Sequence, residues 1–263
     1  MLEIKLPEYA EETIKKFIKD FVGDRGVVIG LSGGLDSAVV TKLCADFLGE
    51  DRVLAVHMPE KTTPPDDTED ARELAKSLDV EYREIRIDDI LQSYLNILNI
   101  REKTSIGNLK ARIRMNILYA IANEEGRMVA GSSNKSELLV GYFTKYGDGA
   151  SDFMPIGDLY KTQVRQLARK IGIPEKIINK VPRAGLWENQ TDEGEMGVDY
   201  ETLDKILYLI EMDKNPEEIP KILNIPKEVV DRVYGMYMRS KHKRILIYIP
   251  KISRRTVALD WRE

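Results

Sequence analysis

Gly30-Leu-Ser-Gly-Gly-Leu-Asp-Ser37 has the composition of a phosphate cradle. Gly33 and Gly34 carry no Cβ, so their backbone N–H groups can turn inward and approach an anion closely. A helix starting just beyond adds partial positive charge at its N-terminus. Ser32 and Ser37 supply hydroxyl donors. Asp36 alone would repel a phosphate, so it makes sense only with a cation between them; magnesium shared by a carboxylate and phosphate oxygens is the usual arrangement. The string is neither the GK[ST] phosphate loop nor a GxGxxG dinucleotide turn.

Other segments add chemistry. In Gly107-Asn-Leu-Lys-Ala-Arg-Ile-Arg-Met115, Arg112 offers a planar fork suited to phosphate or carboxylate. In Gly131-Ser-Ser-Asn-Lys-Ser-Glu137, Glu137 falls about one helical turn in, near enough to share a cation with Asp36. Lys145, Asp148 and Asp152 follow on one polar, glycine-rich stretch. A carboxylate there can hold or deprotonate an amine, and a lysine can neutralise a departing anion. Lys161 falls in a first helical turn, where a cation opposes the helix dipole unless it points at an anion.

These residues need elements to position them. Apolar residues at helical spacing over 9–22 predict a helix. Residues 26–31, 52–57, 82–87 and 127–130 read as strands, the first as a buried β-branched run. Helices are expected from the SGG to about Leu48 and over 67–78, 88–99, 107–124 and 158–171. Residues 59–66 and 180–198 read as loops, and three short helices lead to about Lys243. This alternation predicts an α/β fold: a doubly wound parallel sheet with helices on both faces, plus C-terminal helices. A ligand site is expected beyond the carboxyl ends of the strands. The whole chain, 1–263, is expected to be a single domain, with a helical part over about 199–245 and an extended tail over 246–263.

Composition narrows the classes. The chain has 263 residues and a formal net charge of −4; the last 38 residues carry +6, leaving −10 on the rest. An acidic body disfavours broad nucleic-acid binding. Cys44 is the one cysteine, so there is no intramolecular disulfide, no CxxC relay and no cysteine cluster for a metal. The N-terminus lacks a secretory core, and no apolar run approaches the roughly 18 residues of a membrane span. A cytoplasmic protein without membrane or nucleic-acid partners is expected.

The SGGLDS string resembles the PP-loop of the N-type ATP pyrophosphatases, which cleave ATP between its α and β phosphates. Together with TKYGDG and QTDE, it resembles the ammonia-dependent NAD synthetases over about residues 15–245. The resemblance implies an adenine nucleotide alpha hydrolase-like fold and a homodimer. It also implies conversion of deamido-NAD, ATP and ammonia to NAD, AMP and pyrophosphate through an NAD-adenylate. It assigns ATP to Gly30, Leu31, Ser32, Gly33, Gly34, Leu35, Asp36 and Ser37, with Ser132, Lys161 and Arg183. Magnesium falls to Asp36 and Glu137. Deamido-NAD falls to Arg112, Lys145, Asp152, His242 and Lys243. Asp148 would sit near the ammonia, and Asp148, Lys161 and Asp36 carry the catalytic roles.

Two positions depart from the family pattern. Arg183 stands where a small hydroxyl residue is usual, and Thr104 where many relatives carry an aromatic. The loops at 59–66 and 180–198 are expected to cover the site, because water would hydrolyse an acyl-adenylate. With one cysteine on the helix behind the ATP loop, free ammonia or a separate subunit must supply the nitrogen. Two alternatives fit the glycine loop alone: another PP-loop amidotransferase or a tRNA-modifying ligase, and a module that senses ATP without turnover.

Overall fold

The computed structural model describes residues 2–187, 190–245 and 248–256. Val27–Gly30 forms β1, an inner strand of a four-stranded sheet with β2 (Val53–His57), β3 (Glu81–Glu84) and β4 (Met128–Ala130). The order is β3-β2-β1-β4 and every pair is parallel. Val27 lies opposite both Val53 and Met128. Every residue of β2 is buried, as expected of a strand covered on both faces. β3 is one edge of the sheet, and its exposed Glu81 and Glu84 discourage a further strand from pairing there. It ends three residues before the expected Ile87. The Ile85 and Ile87 N–H groups still donate to His57 O (2.8 Å) and Pro59 O (3.1 Å).

The helices in chain order are α1 (Ala10–Val22), α2 (Leu35–Leu48), α3 (Pro65–Ser77), α4 (Asp88–Leu98), α5 (Lys103–Glu125), α6 (Lys135–Val140) and α7 (Lys161–Lys170). They continue with α8 (Glu175–Ile178), α9 (Asp192–Met196), α10 (Tyr200–Glu211), α11 (Ile219–Leu223), α12 (Lys227–Arg239) and α13 (Lys241–Arg244).

Alternation along the strands sends side chains to opposite faces. Val27, Ile29, Val53 and Ala55 pack with apolar residues of α1, α2, α3 and α7. Val28, Leu54, Val56 and Val129 pack with α4 and α5. The sheet is therefore doubly wound, as expected. From β1 the chain winds outward through β2 to β3, then returns to place β4 on the other side of β1. The switch point lies between β1 and β4, where such sheets open a crevice.

A further core holds the C-terminal helices. Leu203, Ile206 and Leu207 of α10 pack with Val140 of α6, Ile219 of α11 and Val230 and Val233 of α12. The N-terminal segment is strapped to α7: Leu6 N–H donates to Gln166 Oε1 (2.8 Å), while the Gln163 and Gln166 amides donate to Lys5 O (2.9 Å) and Ile4 O (2.8 Å).

Two helix boundaries differ from expectation for local reasons. α5 starts at Lys103, four residues before Gly107, because the Glu102 carboxylate caps it by accepting from Thr104 N–H and Ser105 N–H. α7 starts at Lys161 rather than Asp158, because Leu159 O is taken by Lys135 N–H (2.8 Å). Of the tail, Tyr248–Thr256 has no regular secondary structure, whereas residues 246–247 and 257–263 lie outside the described residues. No helix of the described residues is long and apolar enough to cross a membrane.

Candidate active site

A cleft of about 450 Å³ opens at the carboxyl ends of β1, β2 and β4. Gly30, Leu31, Ser32, Gly34, Leu35, Asp36 and Ser37 line it, and Gly33 of the same loop does not. Gly33 faces α3 instead. Its φ is +82°, and a Cβ there would lie 2.1 Å from Asp67 O. The glycine is thus required twice, by a left-handed backbone and by close approach of another chain segment. The loop is braced by its own hydroxyls: Ser32 Oγ and Ser37 Oγ are 3.0 Å apart, Gly34 N–H donates to Ser32 Oγ (3.2 Å), and Ser37 Oγ donates to Gly34 O (3.2 Å). The N-terminus of α2 follows directly and faces the cleft with Leu35, Asp36 and Ser37.

Across the cleft, the buried Lys161 ammonium donates to Asp36 Oδ2 and lies 3.5 Å from Glu137 Oε1. Burial works against its charge, but Asp36 and Glu137 outweigh it and hold the ammonium protonated. Burial dominates at Glu137 and raises its carboxyl, Lys161 opposes that rise, and Asp36 and Asp192 add to it. Asn134 caps α6 by accepting from Glu137 N–H (3.0 Å) and reaches Asp36 Oδ1 with its amide (3.3 Å). Two carboxylates therefore face one cation. Among the described residues no group of three or more His, Cys, Asp or Glu side chains could hold a metal. Asp36 and Glu137 fit magnesium on condition that phosphate oxygens and water complete its shell.

Asp192 was not singled out from sequence and belongs to this cluster. It is buried, Tyr200 Oη donates to its Oδ2 (3.1 Å), and its Oδ1 has no hydrogen-bond partner among the described residues. Burial raises its carboxyl. The QTDE string was a signal for the position but not for its place beside Glu137.

Asp148, Ser132, Arg183 and Lys243 also line the cleft. Asp148 Oδ1 accepts from Thr144 N–H (2.9 Å), and desolvation by surrounding protein raises its carboxyl. The residue nonetheless keeps an exposed surface. Lys243 Nζ donates to Gly141 O and Phe143 O, both at 2.6 Å, and burial lowers its pKa. Arg183 donates to Asp67 Oδ1 (2.9 Å), which Lys180 Nζ also reaches (2.7 Å).

Four of the five residues expected to grip a dinucleotide do not line the cleft. Arg112 is exposed and donates to Lys145 O (3.3 Å), and Lys145 Nζ donates to His242 O (2.9 Å), so these three form a chain beside it. Asp152 is drawn elsewhere: its Oδ2 accepts from Val129 N–H (2.7 Å) and its Oδ1 from Tyr119 Oη (3.3 Å), tying the 141–156 stretch to β4. Arg114, two residues beyond Arg112, does line the cleft, with its Nε donating to Met58 O (3.0 Å). Helical spacing was the available signal, since Thr104, Asn108, Ala111, Met115 and Leu118 make one cleft-facing stripe of α5.

Two other reactive residues are buried, and one of them, His57, lines the cleft. Cys44 is buried on α2, and burial pushes its thiol up to about 12. His57 is buried between Leu31 O (2.8 Å from Nδ1) and Thr68 Oγ1 (2.9 Å from Nε2), and burial lowers its pKa.

The sequence model of the family described as NAD synthase matches residues 8–246. The chain belongs to the NAD synthase family. It is 51% identical over 246 residues to an NH3-dependent NAD(+) synthetase of Methanocaldococcus jannaschii, covering 91% of this chain and 95% of that one. It is 46% identical to a synthetase of the same description from Saccharolobus solfataricus, covering 97% and 91%. Among solved structures it is similar to an NMN synthetase from Francisella tularensis: TM-score 0.83, 34% identity, 94% of this chain and 99% of that one. It is also similar to an NH3-dependent NAD synthetase from Campylobacter jejuni: TM-score 0.77, 32% identity, 94% and 98%. The doubly wound sheet with added C-terminal helices is thus this family's adenine nucleotide alpha hydrolase-like fold.

Proposed function

We propose that the chain amidates the nicotinate carboxylate of deamido-NAD with ammonia, driven by cleavage of ATP to AMP and pyrophosphate. The observation that carries this reading is Lys161, a buried ammonium facing Asp36 and Glu137 across the cleft from the glycine loop. In the first step a carboxylate oxygen attacks the ATP α-phosphorus, the bond to the bridging oxygen of the β-phosphate breaks, and pyrophosphate leaves. The backbone N–H groups of the glycine loop and the α2 N-terminus receive the phosphates, and Lys161 offsets the charge that develops on the leaving group. Asp36 and Glu137 would hold magnesium, which neutralises phosphate charge when bound. In the second step ammonia attacks the carbonyl carbon of the adenylate, AMP leaves, and the nitrogen loses a proton. Asp148 is assigned to hold the incoming nitrogen. Arg112, Lys145, His242 and Lys243 are read as the grip on the dinucleotide.

Free ammonia or a separate subunit is the assigned nitrogen source, because this chain's one cysteine is a buried, protonated thiol. A homodimer is proposed as well; exposed Ile97 and Leu98 on α4 are the kind of apolar surface that pairing would cover. A reducing cytoplasm suits the single buried thiol.

The similarity to an NMN synthetase favours testing a second acceptor, the nicotinate mononucleotide. The experiment supplies ATP, magnesium, ammonium and either acceptor, and follows amide and AMP together. Equimolar NAD and AMP from deamido-NAD, lost in Asp36→Ala, is the expected result. Preferential amidation of the mononucleotide would reassign the acceptor. Neither product from protein that binds ATP would overturn the amidation reading in favour of an ATP sensor.

A further inference from the structure

A second stripe of α5 carries Lys103, Gly107 and Lys110 at helical spacing and ends on the cleft-lining Arg114. Both loops expected to cover the site land on it. Lys110 and Glu60 are each only 5% exposed. The Lys110 ammonium donates to Glu60 Oε1 in the 58–64 loop and to Leu186 O (2.7 Å) in the 180–187 segment. Thr62 Oγ1 donates to the same Glu60 oxygen. One turn earlier, Gly107 leaves room for the second segment: a Cβ there would lie 2.8 Å from the Trp187 ring and 3.3 Å from Leu186. Lys103 Nζ stacks 4.5 Å from the centre of the Trp187 ring. One turn later, Arg114 holds Met58 O at the start of the first loop. Lys110 itself does not line the cleft.

We propose that Lys110 is a positioning residue that clamps the 58–64 loop and the 180–187 segment together over the cleft, keeping water from the acyl-adenylate until ammonia reacts. The inference rests on the amidation reading. A buried ammonium with two acceptors from different loops couples their closure, because releasing either acceptor leaves a buried charge underpaired. Burial alone would raise the Glu60 carboxyl, but the Lys110 and Thr62 hydrogen bonds outweigh it and hold Glu60 ionised below its ordinary range.

The test compares wild type with Lys110→Met and Glu60→Gln at saturating ATP and deamido-NAD, measuring AMP released per NAD formed. Wild type should release the two in equal amounts. Each variant should release about threefold more AMP than NAD at low ammonium, returning toward equality as ammonium rises and outcompetes water. A residue with only a structural role would lower both products together, and an unchanged ratio in both variants overturns the clamp. A second readout needs no turnover. Chymotrypsin should cut after Trp187 about tenfold faster in Glu60→Gln than in wild type, and equal cutting overturns the clamp. Should wild type make no NAD, the amidation reading fails, and the cleavage rates still decide the clamp.

Discussion

The Ser136 hydroxyl donates to the buried carboxylate of Asp204, and this contact ties the helix bearing Glu137 to α10. Asp204 Oδ2 also accepts from Thr162 N–H (2.8 Å), and Ser136 Oγ accepts from Lys161 N–H (2.9 Å). One carboxylate on α10 thus fixes the N-terminal turns of α6 and α7. Asp204→Ala should cost about 1–3 kcal/mol for each buried donor left unpaired. Urea unfolding measures that cost, and the turnover rate should fall with it. Unchanged turnover would show that α6 and α7 keep their places without the Asp204 carboxylate.

Lys161→Ala should lower kcat by about 10²–10³, the scale of losing one preorganised charge from a transition state. The deamido-NAD KM should move far less, because the lysine faces Asp36 and Glu137 rather than the Arg112–Lys145–His242 rim. Steady-state kinetics separate the two, and a KM effect without a kcat effect would remove Lys161 from the chemical step.

Gly33→Ala combines a left-handed backbone with a clash against Asp67 O. The conformational cost alone is about 1–2 kcal/mol for an L residue, and the clash forces the loop or α3 to move. The expected outcome is a lower Tm together with loss of the Tm increase that ATP gives wild type. Retention of that increase would mean the loop tolerates the shift.

Glu102 gives a pH signature. The N–H groups of Thr104 and Ser105 hold its carboxyl down to about 2, against an ordinary 4.5. A depressed carboxyl stabilises the folded state above its unfolded value and loses that contribution as pH falls through its folded value. The stability gap between wild type and Glu102→Gln should be complete above pH 4.5 and close toward pH 2. Thermal melts across that range check it, and a gap that widens on acidification would contradict the cap.

The phosphate loop was legible in the sequence because its chemistry is local. A buried strand, two adjacent glycines and a helix start lie within a dozen residues, and backbone rules alone place their N–H groups. A parallel sheet with helices on both faces followed from the alternation of strand-like and helix-like runs, whereas the strand order came from the structure. Gly107 shows where local reading stops. The spacing starts a helix at Gly107, yet the glycine sits inside α5, where Trp187 occupies the space a side chain would need.

The sequence by itself determined the fold class, the nucleotide loop and the residue types present at the cleft, since each depends on short-range periodicity or on backbone freedom. Only the tertiary structure decided which polar groups meet. Asp152 is spent on Val129 N–H, Asp192 stands with Glu137, and Lys110 pairs with Glu60 fifty residues away. The physical reason is that hydrogen bonds and ion pairs act over a few ångströms, whereas the distance between such residues is set by how the helices pack on the sheet.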